Sequence, residues 1–251
     1  MTQGADWVGK ATAHLDELLQ AGADQGTRDH WTAYLKGTAT FRGVPMNGIR
    51  AAVNTVVRDH HLLQYPDDDL LALAVSWTAQ GDSEDKLAAI LLIAEHLRTR
   101  LLTEHIDQLA QPFIDAHITD WNVCDWYAVK ALHGYLTPAG TVERDRAHRL
   151  AEWTLGPGLW QRRAGLVGFV KTAGSADRQF EGYTDLVLNA CAANLVVPDR
   201  FAHTGPGWVL RELSRSQPES VAAFVDNHPE LSREGRRMAT AHLRSGTYRR
   251  R

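Results

Sequence analysis

The chain has 251 residues, 44% hydrophobic and 23% charged, with a formal net charge of −3, which is the make-up of an ordinary folded protein and excludes a disordered or collagen-like one. Its apolar runs are too short and too interrupted by charge to span a bilayer, and residues 1–7 hold no basic stretch leading into an apolar core, so the expected compartment is the cytoplasm. Two cysteines, Cys124 and Cys191, without a CxxC spacing exclude a disulfide framework, and twelve histidines without an HExxH-type pair exclude a recognisable metal centre.

Taken in chain order, nearly every segment between turn signals carries the three- and four-residue apolar spacing of an amphipathic helix, and no alternating strand pattern competes. The clearest helices are predicted over 70–79, over 83–99 with Ser83 as its cap, and over 104–117, where Pro112 should kink or split the run. Asp120 is placed to cap a helix over 121–136, closed by Thr137-Pro138-Ala139-Gly140. Further helices are expected over 141–154, over 159–171 after the Gly156-Pro157-Gly158 break, and over 177–195, with Pro198-Asp199 opening the next. Two shorter ones follow, one from Pro218 and one capped by Ser232, before a frayed tail from Tyr248. Helix pairs recur at about forty residues, the spacing of HEAT-type repeats; a compact bundle is the alternative that periodicity leaves open.

Charge is divided unevenly along this helical chain. Residues 1–139 hold 10 Lys plus Arg against 18 Asp plus Glu, whereas residues 140–251 hold 17 against 12. Sixteen of those seventeen cations are arginine, whose planar fork suits phosphate; a GC-rich genome would enrich arginine equally.

The densest chemistry lies in the run from Thr119 to Tyr127, which sets Trp121, Trp126 and Tyr127 around Asp125. On a helix starting at Trp121, residues 121 and 125 stand one turn apart and project side by side as an aromatic plate and a carboxylate. Alone, the pair also suits a packed indole and a solvated acid.

Two more segments add to it: Trp160-Gln161-Arg162-Arg163-Ala164, and Gly207-Trp208-Val209-Leu210-Arg211-Glu212. With Trp121-Asn122-Val123-Cys124-Asp125, in this order and at these separations, they resemble the AlkD-like HEAT-repeat DNA glycosylases of the DNA alkylation repair family. Phe41-Arg42-Gly43-Val44-Pro45 and Leu231-Ser232-Arg233-Glu234 match more loosely and extend the likeness over most of the chain. The resemblance implies an all-α, HEAT-like solenoid in a single domain over 1–251, with a concave DNA-binding face. It implies hydrolysis of the N-glycosidic bond of cationic N3- or N7-alkylated purines in double-stranded DNA by a monomer, without metal or organic cofactor, in base excision repair or in self-protection from a genotoxin. Trp121, Asp125 and Trp208 would face the lesion. Arg163 would hold the DNA backbone, with Arg162, Lys171 and Arg211 as further contacts, although a solvated face suits Arg162 as well.

Pro206 departs from the pattern: a helix start or kink is expected there, which would re-aim Trp208 and leave room for an adduct bulkier than methyl. The competing reading is a non-catalytic helical-repeat scaffold that binds DNA or a protein partner, with the tryptophans as anchors.

Overall fold

A computed structural model describes residues 6–244. Every regular element among them is helical, and no helix among them is long and apolar enough to cross a membrane. The chain divides into two compact units, Met1–Trp126 and Tyr127–Arg251.

The first unit holds α1 (Asp6–Ala21), α2 (Gln25–Tyr34), α3 (Met46–Asp59), α4 (Asp67–Thr78), α5 (Ser83–Leu91), α6 (Ile106–Ile114) and most of α7 (Trp121–Tyr127). α3 shows why such segments become helices and stay packed: Ile49, Ala52, Val53, Val56 and Val57 fall on one stripe, and all are buried. α1 and α5 pack on α3, and α4 packs on α5 and α6. Three aspartates, Asp67, Asp68 and Asp69, open α4, where negative charge complements the helix dipole.

A non-helical loop over 40–45 is tied down by one buried acid. Glu84, 1% exposed, accepts from the main-chain N–H of Arg42 (3.1 Å) through one oxygen and from those of Gly43 (2.7 Å) and Val44 (3.0 Å) through the other. Gly43 has φ +93°, and a Cβ there would meet the Asp24 carbonyl oxygen at 2.1 Å, so glycine is required. The Arg42 side chain binds Asp85 (2.8 Å) and Asp16 (2.7 Å).

The second unit holds α8 (His133–Leu136), α9 (Arg144–Glu152), α10 (Leu159–Val167), α11 (Val170–Ala173), α12 (Tyr183–Asn194), α13 (Arg200–Leu213), α14 (Pro218–Asn227), α15 (Arg233–Ala239) and α16 (Ala241–Arg244). α13 packs on α10, α11, α12 and α15. Its approach to α15 is backbone to backbone. A Cβ on Gly207 would stand 2.8 Å from the Gly235 carbonyl oxygen, and one on Gly235 would stand 2.6 Å from that of His203. Gly235→Ala is therefore expected to destabilise the chain by about 1–3 kcal/mol, the scale of overpacking a tight contact. Urea unfolding measures this, and an unchanged midpoint would refute the account.

Several expectations are met at their predicted places. Asp120 accepts from the Val123 N–H (2.9 Å), and the run 121–136 is helical throughout. Asp199 and Ser232 cap α13 and α15, and Pro218 opens α14. Other boundaries are corrected. Leu92–Leu97 is a π-helical end to the run that starts at Ser83, and Ala128–Leu132 is a π-helical turn inside the run over 121–136. The helix over 159–171 ends at Val167, and the one over 177–195 starts at Tyr183. Pro112 does not split its helix: it sits in the last turn of α6, where its carbonyl accepts the returning N–H groups of His117 and Ile118. Pro206 starts no helix, because α13 begins at Arg200 and runs through it. The expected tail from Tyr248 lies outside the described residues.

Candidate active site

α7 carries the first group of candidate residues. Its cap leaves Val123, Cys124 and Tyr127 pointing inward, all fully buried, while Trp121, Asn122, Asp125 and Trp126 are half-buried on the other side. Trp121 and Asp125 thus share a partly open face one helical turn apart, as their spacing predicts. Cys124 is buried and forms no disulfide, and burial pushes the thiol of Cys191 well above its ordinary range.

Within the same unit an aromatic series borders this face. Tyr34 packs against Trp121 with ring centroids 5.8 Å apart; Trp31 meets Tyr34 at 5.7 Å and Phe41 at 6.3 Å. Tyr34 is 55% exposed, and α2, which carries it, has no buried residue. The motif reading missed Tyr34. The signal available to it was an aromatic pair at i, i+3, Trp31 and Tyr34, on a helix too polar to need them for a core.

The second unit carries the other candidates. Trp208 is half-buried on α13, between Gly207 and Val209, which are buried. Thr204 stands one turn before Trp208 on the same face. Arg163 is 5% exposed and donates to Thr204 Oγ1 (3.1 Å) and to the Phe201 carbonyl oxygen (2.9 Å), so its guanidinium secures the turn that precedes Trp208. Phe201 in turn packs on Trp160 at 5.1 Å. Gly205 faces this guanidinium, and a Cβ there would meet it at ordinary van der Waals contact, 3.5 Å.

Arg162 is 8% exposed and donates to the carbonyl oxygens of Gly156 (3.0 Å) and Ala193, the latter in the last turn of α12, where a cation complements the dipole. Burial pulls its pKa below the ordinary value. The alternative of a solvated face for Arg162 is thereby corrected. Lys171 is exposed, on α11 and not on the helix of Arg162 and Arg163. Arg211 is half-buried and paired with Glu212 at 2.7 Å, which also binds Arg215 at 3.1 Å. Among the described residues no group of three or more His, Cys, Asp or Glu side chains could hold a metal ion.

Comparison with known proteins bears on this arrangement directly. The model of the DNA alkylation repair enzyme family matches residues 15–243. Among solved structures the chain is similar to a predicted DNA alkylation repair enzyme from Enterococcus faecalis, with a TM-score of 0.70 and 18% identity, over 88% of this chain and 96% of that one. At that identity the likeness bears on the fold, an all-α helical-repeat arrangement. No curated protein matches. With the family model spanning nearly its whole length, this chain belongs to the family of DNA alkylation repair enzymes and is an enzyme of alkylation-damage repair.

Proposed function

We propose that the chain is a monofunctional DNA glycosylase that hydrolyses the N-glycosidic bond of cationic N3- or N7-alkylated purines in double-stranded DNA. The observation that carries this reading is the partly open face of α7, where an indole and a carboxylate stand side by side. An alkylated purine already bears positive charge and leaves readily, so no strong general acid is needed. As the bond lengthens, cationic character moves to the deoxyribose. The Asp125 carboxylate stabilises that charge and orients the attacking water. The Trp121 indole beside it attracts the cationic nucleotide by roughly 0.5–2 kcal/mol, and Trp208, within the second unit, offers a half-buried indole of the same chemistry. Incubation with methylated duplex DNA, followed by mass spectrometry of the soluble fraction, tests this. Release of 3-methyladenine and 7-methylguanine is expected; DNA left intact would overturn the reading.

Exposed cations of the second unit supply the phosphate contacts, and buried ones hold the scaffold. Lys171→Ala is expected to reduce the slope of log affinity against log salt by about 0.9, the value for one phosphate contact, with the unfolding midpoint unchanged. Arg163→Ala, which empties the support beneath Thr204, should leave that slope unchanged while lowering both the unfolding midpoint and the rate of base release. The opposite pattern would make Arg163 a phosphate ligand and Lys171 a bystander. Filter binding at several salt concentrations, together with thermal melts, separates the two.

A further inference from the structure

A cavity of about 120 Å³ lies in the first unit. Its walls include Trp31 from α2, Phe41 from the 40–45 loop, Glu84 and Leu87 from α5, and Asn122 and Trp126 from α7. On α7, Asn122 and Trp126 form the stripe next to that of Trp121 and Asp125, displaced by one residue. The ring contacts from Trp121 through Tyr34 to Trp31 lead from the first stripe to a wall of the cavity.

The chemistry of the walls restricts the occupant. Glu84 is the only charged group on them, and both its oxygens are already engaged by the amides of residues 42–44. The Asn122 amide has no protein partner among the described residues. A nucleobase, edged with several donors and acceptors, would lose its hydration here with one amide to replace it, at roughly 2–7 kcal/mol for each unmatched group. A hydrocarbon ring loses nothing comparable. Size points the same way, since an apolar cavity of about 150 Å³ admits benzene. Flanking rings add about 0.5–1.5 kcal/mol beyond area burial.

We propose that this cavity is a binding site for one apolar aromatic ring. Two sources present that chemistry: a free small aromatic molecule, or a benzyl-type substituent on an alkylated base, the second of which rests on the glycosylase reading above.

The test starts with the full chain, ¹⁵N-labelled and titrated with benzyl alcohol while its indole N–H resonances are followed. The signals of Trp31 and Trp126 are expected to shift saturably. Leu87→Phe and, at the first residue of α3, Met46→Phe fill the space and are expected to weaken this binding about tenfold or more, within the range by which apolar pockets sense added carbon. Shifts that are linear in benzyl alcohol and alike in wild type and both variants overturn the proposal, and the wild-type titration decides by itself if a variant fails to fold. A second arm uses duplexes carrying 7-benzylguanine or 7-methylguanine. Loss of benzyl release alone in Leu87→Phe places the ring on the lesion. Unchanged release of both bases, with benzyl alcohol binding lost, assigns the site to a free molecule. Failure of the wild type to release either base refutes the glycosylase reading and leaves the titration result standing.

Discussion

The Asp125→Asn variant is expected to release alkylated bases more slowly by on the order of 10²- to 10³-fold, the scale for removing one preorganised group that stabilises developing charge. Asparagine is nearly isosteric, so the helix and its cap at Asp120 remain. It carries a dipole in place of a full negative charge, which weakens its attraction to an oxocarbenium-like sugar far more than its contact with a neutral ground state. Affinity for duplex DNA should be unchanged or slightly greater, because the substitution removes a negative charge, which a polyanion repels. Single-turnover release and equilibrium binding, measured side by side, check both halves. Normal release by the variant would remove Asp125 from the chemistry; a parallel loss of binding and release would make it a structural residue.

The largest expected effect on stability belongs to Glu84. Glu84→Ala deletes the acceptor of three successive main-chain donors around the 40–45 loop. Each orphaned buried group costs about 1–3 kcal/mol, so a loss of about 3–5 kcal/mol is expected, a large part of the stability of a typical domain. Glu84→Gln keeps one carbonyl oxygen and should lose less than half as much. Chemical unfolding monitored by tryptophan fluorescence measures both variants. An alanine variant as stable as the wild type would show that water replaces the carboxylate.

The contrast between these two acids shows how far the sequence could be read. The placement of Asp125 beside Trp121 was legible from local signals, because a cap at Asp120 and an i, i+4 relation to Trp121 operate within one helix. Glu84 stands in the first turn of α5, where an acid is ordinary. Its partners are some forty residues away, and no local pattern announces them. The arginines divide similarly. Their number in the second half was visible, yet whether a guanidinium faces solvent or a carbonyl depends on which helices meet, and that hid the inward positions of Arg162 and Arg163. π-helical turns escaped for a related reason, since one residue per turn more than expected leaves no mark in a short apolar pattern. The helix start expected at Pro206 failed in the other direction. Intrinsic preference argues for a break, while packing of α13 against four other helices holds the helix through it.

The contact between Gly207 and Gly235 links the C-terminal helices to Trp208. With no side chains between the two backbones, α13 is keyed against α15 in both depth and rotation, and successive residues of a helix point about 100° apart. A methyl group added at either glycine would swing the neighbouring indole around the helix axis. Drift in α15, which bears none of the candidate ligands, is therefore a route by which relatives can retune activity without altering any group that meets the substrate.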